Sequence, residues 1–237
     1  MDNWLTRTEL LIGKENLIKL KNSHVLIIGL GGVGSYVAEQ LCRSGIGELT
    51  IVDSDKIEET NINRQLIATT KTINKKKVEA LKEILLSINP KIKINCKYKY
   101  VKNEEFDELF DKKYNYVVDA IDTLTPKINL IKKALERKQR LISSLGSGAK
   151  LNPELVHITD ISKTYNDNLA RILRKRLHRI GIYSGFNVVF SSEKVIKKAI
   201  VETDFEENKK STIGTISYMS AIFGLYLASK VIRDIIE

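Results

Sequence analysis

The chain has only two cysteines, Cys42 and Cys96, among its 237 residues. Two thiols cannot form a four-cysteine zinc site or a disulfide framework. Cys42 falls in a helical pattern and Cys96 in an alternating strand pattern, and free cysteines in such positions are usually packed in the interior. The sequence also shows no signal-peptide pattern. We therefore expect a cytoplasmic protein without a structural zinc ion, a disulfide or a cysteine nucleophile.

The sequence also lacks an apolar run long enough to cross a membrane. Its most apolar segment, from Ile213 to Ile236, is interrupted by polar residues such as Thr215, Ser220 and Lys230. Its uninterrupted stretches fall short of the roughly 20 residues that a membrane span needs. We expect a core or dimer-interface helix and no stable membrane insertion, with peripheral membrane association as a minor alternative.

Acidic residues are fewer than basic ones, 29 against 39, so the formal net charge is +10. Solubility does not require such an excess, and basic patches attract polyphosphates and nucleic acids. The segment 169–180 is a predicted helix with apolar residues along one side and basic residues elsewhere. These cations are either nucleic-acid contacts or an ordinary solvated face. The candidates for nucleic-acid contact are Arg171, Arg174, Lys175 and Arg179.

Apolar strand patterns alternate with helical patterns in the first part of the chain, which predicts an α/β, Rossmann-like fold. We expect a mainly parallel sheet flanked by helices, in a single domain over residues 1–237. A nucleotide-binding half would cover 1–145. A C-terminal substrate and dimer half, 146–237, would extend the sheet. The predicted strands lie near 24–29, 49–53, 92–98, 114–119 and 140–144.

A glycine-rich turn follows the first predicted strand, and an aspartate ends the next strand about 20 residues later. The glycines let the backbone approach a phosphate at a helix N-terminus, and the aspartate accepts from ribose hydroxyls. This pattern alone suits NAD and ATP equally. The residues are Gly29, Gly31, Gly32, Gly34 and Asp53.

Two basic side chains distinguish these ligands, Arg64 in a polar loop and Lys77 at the start of a predicted helix. A triphosphate that is being cleaved needs positive charge on its outer phosphates, whereas backbone amides largely serve a dinucleotide pyrophosphate. Asp122 lies just beyond the strand pattern 116–121, where a carboxylate can bind Mg²⁺. The set therefore favours ATP with Mg²⁺.

Two further features at the strand ends leave alternatives open. Asp119 either caps the helix that starts near Thr123 or binds substrate. The small-residue loop 143–149 could approach the substrate or coordinate a monovalent cation through carbonyl groups near Gly146–Ala149. A simple flexible turn explains that loop equally well.

The combined spacing of these motifs resembles that of the adenylating enzymes related to ubiquitin-activating enzyme. The resemblance implies that Arg64 and Lys77 act on the ATP phosphates, that Asp53 binds the ribose and that Asp122 positions Mg²⁺. Asn61 and Gln65, in the same motif as Arg64, would orient the phosphate region.

An N-terminal arginine also matches this family. Arg7 corresponds to the arginine that one subunit of such homodimers supplies to the ATP phosphates of its neighbour. A second arginine, usual in that N-terminal motif, is absent around Trp4 and Leu5. The resemblance thus implies a homodimer with Arg7 as the residue supplied across the interface.

Within this superfamily the C-terminal half, from Ile158 to Leu177, is similar to the tRNA threonylcarbamoyladenosine dehydratases, and that resemblance covers nearly the whole chain. It implies ATP-dependent dehydration of N6-threonylcarbamoyladenosine in tRNA through an acyl adenylate, with a cyclic, hydantoin-type product. The basic helix 169–180 would then contact tRNA. An acyl adenylate that is attacked from within its own molecule needs no thioester cysteine, because intramolecular geometry supplies a high effective molarity.

Three other functions compete with this interpretation. The first is adenylation of the C-terminus of a ubiquitin-like sulfur-carrier protein, which the missing zinc cysteines disfavour. The second is a non-catalytic module that docks a sulfur-relay protein such as a cysteine desulfurase, which the retained site residues disfavour. The third is a nicotinamide dehydrogenase, the generic prediction for this fold.

Overall fold

The computed structural model describes residues 3–101, 103–206 and 209–237; for residues 3, 103, 104, 202–206 and 209–211 it describes the backbone alone. A seven-stranded sheet forms the centre, with strand order β3-β2-β1-β4-β5-β7-β6. All neighbouring strands are parallel except β6 and β7, which are antiparallel at one edge. The strands are β1 (His24–Ile28), β2 (Glu48–Asp53), β3 (Lys93–Tyr98), β4 (Tyr116–Asp119), β5 (Leu141–Ser144), β6 (Val156–Asp160) and β7 (Asn187–Ser191).

Helices cover both faces of this sheet. Four of them pack over the core that contains Val25, Ile27 and Ile51, and three pack over the core that contains Leu26, Ile28 and Val117. Successive residues of one strand thus enter opposite cores, as parallel strands buried on both faces require. The first group is α2 (Lys14–Lys21), α3 (Gly34–Arg43), α4 (Lys77–Ile88) and α8 (Ser217–Ile236), and the second is α5 (Asn103–Leu109), α6 (Leu124–Glu136) and α7 (Asn168–His178).

Two elements lie outside these layers. Helix α1 (Thr6–Ile12) precedes α2 and has no buried residue. A two-stranded antiparallel hairpin, β8 (Ile200–Glu206) with β9 (Lys209–Ile213), precedes α8.

The structure confirms the predicted fold class and the five predicted strands, each within two residues of its expected bounds. The C-terminal half extends the sheet through β7 and β6, as expected. The apolar segment near the C-terminus forms α8, which packs on α2 and α3. In the part of the chain that is described, no helix is long and apolar enough to cross a membrane. The single-domain assignment stays a prediction.

Candidate nucleotide-binding site

The glycine loop lies between the end of β1 and the start of α3. Gly29 has φ of +89°, and a Cβ atom there would stand 2.6 Å from the carbonyl oxygen of Ala120; at Gly34 it would stand 1.8 Å from the Gly29 oxygen. Only glycine fits these two positions, so the loop folds tightly against the end of β4. A Cβ on Gly31 would meet only the Gln65 side chain, at 3.7 Å, whereas Gly32 lies against Ser220 of α8. The loop therefore leaves an open side toward Gly31, beside the N-terminus of α3.

Asp53, at the end of β2, ties this loop to the next strand. Its Oδ2 accepts the Leu30 N–H at 2.6 Å, and its Oδ1 accepts the Asp55 N–H at 2.8 Å. Burial raises the pKa of Asp53 above its ordinary value, the positive charge of Lys77 opposes that rise, and the negative charge of Asp55 adds to it. The carboxylate is thus held at the edge of the glycine loop, where a ribose hydroxyl would lie in a Rossmann-type nucleotide site.

Lys77 lies at the first position of α4, and its ammonium points to the same edge of the sheet. Its Nζ atom stands 2.7 Å from Oδ2 of Asp55, and the side chain is 7% exposed. The Asp55 side chain is 61% exposed, so only one of the two charges is buried. Lys77 therefore places a fixed positive charge beside Asp53. The Asp55 carboxylate next to it is open to solvent.

Arg64 sits in the turn that follows β2, and its guanidinium donates to Thr60 O and Asn63 Oδ1, both at 2.9 Å. Asn61 is 7% exposed and closes this turn, since its Oδ1 accepts the Glu58 N–H at 3.2 Å. Asn61 thus shapes the segment that carries Arg64; its part in orienting the phosphate region stays a prediction.

Gln65 supplies an unusual observation, because its Oε1 atom is buried and has no hydrogen-bond partner among the described residues. The residue is 7% exposed and lies beside Gly31. Buried polar atoms are rarely left unpaired in folded proteins. This amide, with its unused acceptor beside the open side of the glycine loop, makes the place a candidate ligand site.

Asp119 does not cap α6, so the first of the two alternatives for this residue was wrong. It is fully buried, and its Oδ2 accepts the ammonium of Lys127 at 2.7 Å and the hydroxyl of Ser143 at 2.6 Å. Lys127 also donates to Ser143 Oγ at 3.1 Å and to Ser144 O at 2.9 Å. These bonds join the ends of β4 and β5 to α6. Asp119 is therefore a structural residue behind the site.

The remaining predicted residues lie apart from one another. Asp122 is an exposed side chain just after β4, at the same edge as the glycine loop. Arg7 is exposed on α1, two residues after Leu5, which packs against Gly45 before the start of β2. The carboxyl end of β2 lies at the candidate nucleotide site, whereas Leu5 and Gly45 lie near its amino end. Arg7 therefore lies near the end of the sheet that is opposite the nucleotide site of its own subunit.

The loop after β5 is held by a second buried ion pair. Lys150 Nζ stands 3.1 Å from Asp167 Oδ2 and donates to Ser191 O at 2.9 Å; the two charged side chains are 1% and 2% exposed. A Cβ on Gly146 would lie 3.7 Å from the same Asp167 oxygen. An ammonium group therefore sits directly beside the segment Gly146–Ala149.

The four basic residues of α7 that were predicted to contact nucleic acid have different surroundings in the structure. Arg174 is half-buried and donates to the Thr164 carbonyl oxygen at 2.9 Å and to the Thr164 hydroxyl. Arg171, Lys175 and Arg179 are exposed. The helical side chains that face the core are Ala170, Leu173 and Leu177, which confirms the predicted apolar side at Leu173 and Leu177. Ile180, expected on the same side, follows the helix and is 45% exposed.

The two cysteines pack as expected. Cys42 is buried in the core on α3, and Cys96 is half-buried in β3. Burial raises the pKa of the Cys42 thiol to about 11 and also raises that of Cys96. Neither thiol is set up to be a nucleophile at neutral pH, because the thiolate is the reactive form.

The sequence analysis missed three residues at this edge, Asp55, Lys127 and Lys150. The alternation Asp53-Ser54-Asp55 is a signal for the first, because residues two apart in an extended segment point to the same side. Lys127 precedes Leu130, Ile131 and Ala134 on the buried side of α6, so a lysine at a core position is its signal. Lys150 has no comparable local signal.

A parallel sheet with a glycine loop, a carboxylate on the next strand and cations at the same edge defines a nucleotide-binding α/β protein. The ThiF family model matches residues 5–237, and the chain belongs to that family. A tRNA threonylcarbamoyladenosine dehydratase of Bacillus subtilis is 38% identical over 239 residues, which cover 98% of this chain and 94% of that protein. The dehydratase of Haemophilus influenzae is 35% identical over 94% of this chain and 89% of that protein.

Solved structures agree with this relationship. The Escherichia coli tRNA N6-threonylcarbamoyladenosine dehydratase in complex with ATP has a TM-score of 0.90 and 30% identity, over 99% of this chain and 96% of that chain. The complex of the same enzyme with AMP has a TM-score of 0.89 over the same shares. By contrast, an adenylyltransferase and sulfurtransferase of Drosophila virilis matches only 60% of this chain and 31% of its own length.

Proposed function

We propose that the protein uses ATP to dehydrate N6-threonylcarbamoyladenosine in tRNA to its cyclic form. The observation that carries this proposal is the joint position of the glycine loop, Asp53, Lys77 and the unpaired Gln65 amide at one edge of the sheet. Similarity to the dehydratases over nearly the whole chain supports it. The match to the sulfurtransferase is confined to part of the chain, which favours the modified tRNA over a sulfur-carrier protein as the acyl donor.

The reaction has two steps. The threonyl carboxylate attacks the α-phosphorus of ATP, and pyrophosphate leaves with the electrons of the broken P–O bond. The neighbouring carbamoyl nitrogen then attacks the acyl carbon, loses its proton and expels AMP. The oxygen that leaves the substrate departs in AMP, so the nucleoside loses the elements of water. Ring closure is intramolecular and needs only the right geometry.

In this proposal Lys77 and Arg64 stabilise the negative charge that grows on the phosphates, as cations do in phosphoryl transfer. The buried side chain of Lys77 supports its part, since a fixed charge needs no reorganisation. The hydrogen bonds of Arg64 to its own turn leave part of its guanidinium available. Asp53 holds the ribose, and Gln65 pairs with the nucleotide beside Gly31.

Asp122 would bind Mg²⁺ together with the phosphates, and the metal would neutralise charge there. A carboxylate exposed at the nucleotide edge fits that use. Among the residues that the structure describes there is no cluster of three metal-binding side chains. A metal bound by one protein carboxylate and by ATP oxygens agrees with the way Mg²⁺ is usually held.

A monovalent cation near Gly146–Ala149 is also part of the proposal. The ammonium of Lys150 already places one positive charge next to this loop. Measuring turnover in potassium, sodium and choline chloride at equal ionic strength tests the need for a further cation. Equal rates in all three salts would remove it from the proposal.

The protein is proposed to act as a homodimer, in which Arg7 of one subunit reaches the ATP of the other. Two observations support this. Arg7 lies near the opposite edge of its own sheet, and its neighbours Leu10 and Leu11 are 82% and 85% exposed. Exposed apolar residues side by side are typical of interfaces, and two-fold dimers are the commonest oligomers. Sedimentation of the purified protein tests the dimer.

A cytoplasmic location and a sulfur-relay partner, such as a cysteine desulfurase, complete the proposal. A tRNA substrate is compatible with that location. The partner is tested by adding the desulfurase to the assay and measuring the rate.

The decisive experiment incubates the purified protein with ATP, Mg²⁺ and tRNA that carries the modification. Mass spectrometry of the nucleosides should show loss of one water, with AMP and pyrophosphate formed in equal amounts. Matched reactions without ATP, or with unmodified tRNA, should show neither. AMP formation that requires a sulfur-carrier protein instead of modified tRNA would contradict the proposal.

A further inference from the structure

Helix α7 carries an exposed strip of positive charge that no described side chain neutralises. Arg171, Lys175 and Arg179 follow one another at intervals of four residues, and Arg176 lies beside them; all four are exposed. We call these four residues the α7 strip. None of their side chains has a hydrogen bond or an ion pair with a residue in the described ranges. We propose that the α7 strip binds the phosphodiester backbone of tRNA, an inference that rests on the proposed function.

The absence of acidic residues within the helix distinguishes α7 from other basic parts of the surface, since the preceding Asp167 is buried and pairs with Lys150. Lys75 and Lys76 pair with Glu83 and Glu79, at 3.3 and 3.1 Å. Helix α7 has no acidic residue from Asn168 to His178. Like charges four residues apart on a helix repel each other. An anionic ligand would reduce this repulsion and stabilise the helix, whereas Lys75 and Lys76 already have anionic partners.

The helix dipole explains only part of this charge. Basic residues in the last turn, such as Lys175 and Arg176, are favourable there because the C-terminus of a helix carries partial negative charge. Arg171 lies in the first turn, where the partial charge is positive and a cation is unfavourable. The helix dipole therefore does not account for this cation.

The strip starts at the nucleotide edge of the sheet. Asp167 caps α7 by accepting the Ala170 N–H at 2.8 Å, and the same side chain binds Lys150 next to the loop at Gly146. Eleven helical residues span about 16 Å at 1.5 Å per residue. The strip therefore extends away from the loop after β5. An RNA whose modified nucleotide entered the site could place its backbone along this path.

An aromatic pair lies at the far end of the strip. The rings of His178 and Tyr183 are 4.9 Å apart between centroids, and Tyr183 is 61% exposed. Proteins bind unpaired RNA bases by stacking them on such rings beside basic side chains. This pair favours RNA over an acidic protein as the partner of the strip.

Arg174 belongs to a different group, because it holds Thr164 next to the start of the helix. Removing it would loosen the fold without removing a phosphate contact. It therefore serves as an internal control for a helix that is merely destabilised.

The test measures tRNA binding by fluorescence anisotropy over a range of salt concentrations. Replacing Arg171, Lys175 and Arg179 together with alanine should raise the Kd for tRNA at least tenfold and reduce the salt slope by about two to three, since each phosphate contact contributes about 0.7 to 0.9. ATP binding and the melting temperature should stay close to those of the unaltered protein. A matched triple replacement with alanine removes the same charge at the opposite edge of the sheet and should change neither Kd nor slope. Its residues are Lys82, Lys93 and Lys97.

Two further variants keep the test specific. Tyr183→Ala should raise the Kd about tenfold with an unchanged salt slope, because stacking is not electrostatic. Arg174→Ala should lower the melting temperature and leave the slope unchanged. An unaltered Kd and salt slope in the α7 triple variant would overturn the proposal that the α7 strip binds tRNA, even when the cyclic nucleoside still forms. Failure of the unaltered protein to form the cyclic nucleoside would instead refute the proposed function.

Discussion

Two lysine–aspartate pairs stand at the same edge of the sheet with the same 2.7 Å separation, yet they differ in what surrounds them. Lys127 and Asp119 are fully buried. Lys77 is nearly as buried, but its partner Asp55 is 61% exposed. The first pair lies behind the site and the second faces the place proposed for the nucleotide.

The difference lies in how many hydrogen bonds are already used. Lys127 donates to three acceptors, which is all that an ammonium group can do. Lys77 has one hydrogen bond from its ammonium among the described residues, to Asp55. A lysine with unused donors beside an open carboxylate can still bind phosphate, whereas a saturated lysine can only hold the fold. A buried lysine–aspartate pair is therefore structural when all ammonium donors are used, and it can bind a ligand when some donors are unused.

The largest effect is expected from Lys127→Met. The change leaves the buried Asp119 carboxylate without its counter-charge, and breaking a buried pair in this way costs about 3–5 kcal/mol. The free energy of unfolding, from urea titration, should fall by that amount. Adding Asp119→Asn in the same chain should recover part of the loss. A single variant as stable as the unaltered protein would show that the pair contributes little to the fold.

The parts of the fold that follow from local pattern were predictable from sequence. The glycine loop and the strands beside it consist of turn residues and short apolar runs. These local patterns predict a turn and strands without any information on distant contacts. Residues such as Asp53 and Lys77 were placed correctly at the sheet edge because parallel strands end together there.

The contacts between distant segments were not predictable. The sequence left Asp119 either as a helix cap or as a substrate-binding residue, but a buried lysine one turn into α6 binds it instead. Arg174 looks like its neighbours on α7 until the loop at Thr164 is in place. Helical periodicity tells which side chains face the core, and it does not tell which of the flanking ones find a partner.

The next effect is that of Lys77→Ala on catalysis. Losing a fixed charge that stabilises the transition state should slow AMP formation about 10²- to 10³-fold. Stability should change by no more than about 1 kcal/mol, as for a pair with one exposed partner. Lys76→Ala is the matched control, since the adjacent lysine pairs with Glu79. Equal rates for the two variants would contradict the assignment of Lys77.

Asp55→Asn tests whether the exposed partner holds Lys77 in place. We expect about a tenfold slower reaction, because a misplaced charge stabilises the transition state less well. Asp55 raises the pKa of Asp53 and Lys77 lowers it. ATP affinity, which is proposed to need the ionised Asp53, should therefore weaken at a lower pH in Asp55→Asn and at a higher pH in Lys77→Ala.

The control for this opposite pair of shifts is the pH dependence of ATP affinity in Lys76→Ala, which should match the unaltered protein. Shifts of the same sign in Asp55→Asn and Lys77→Ala would show that the charges act through a change in structure.

The smallest effect concerns salt. A double-mutant cycle on Lys77 and Asp55 should give a coupling of about 0.2–1 kcal/mol at low ionic strength, because one partner is in water. At 1 M salt the screening length is about 3 Å, so this coupling should approach zero. The cycle on Lys127 and Asp119 should keep its value, since ions do not enter the core between β4, β5 and α6. If both couplings declined with salt in the same proportion, burial would not be what separates the two pairs.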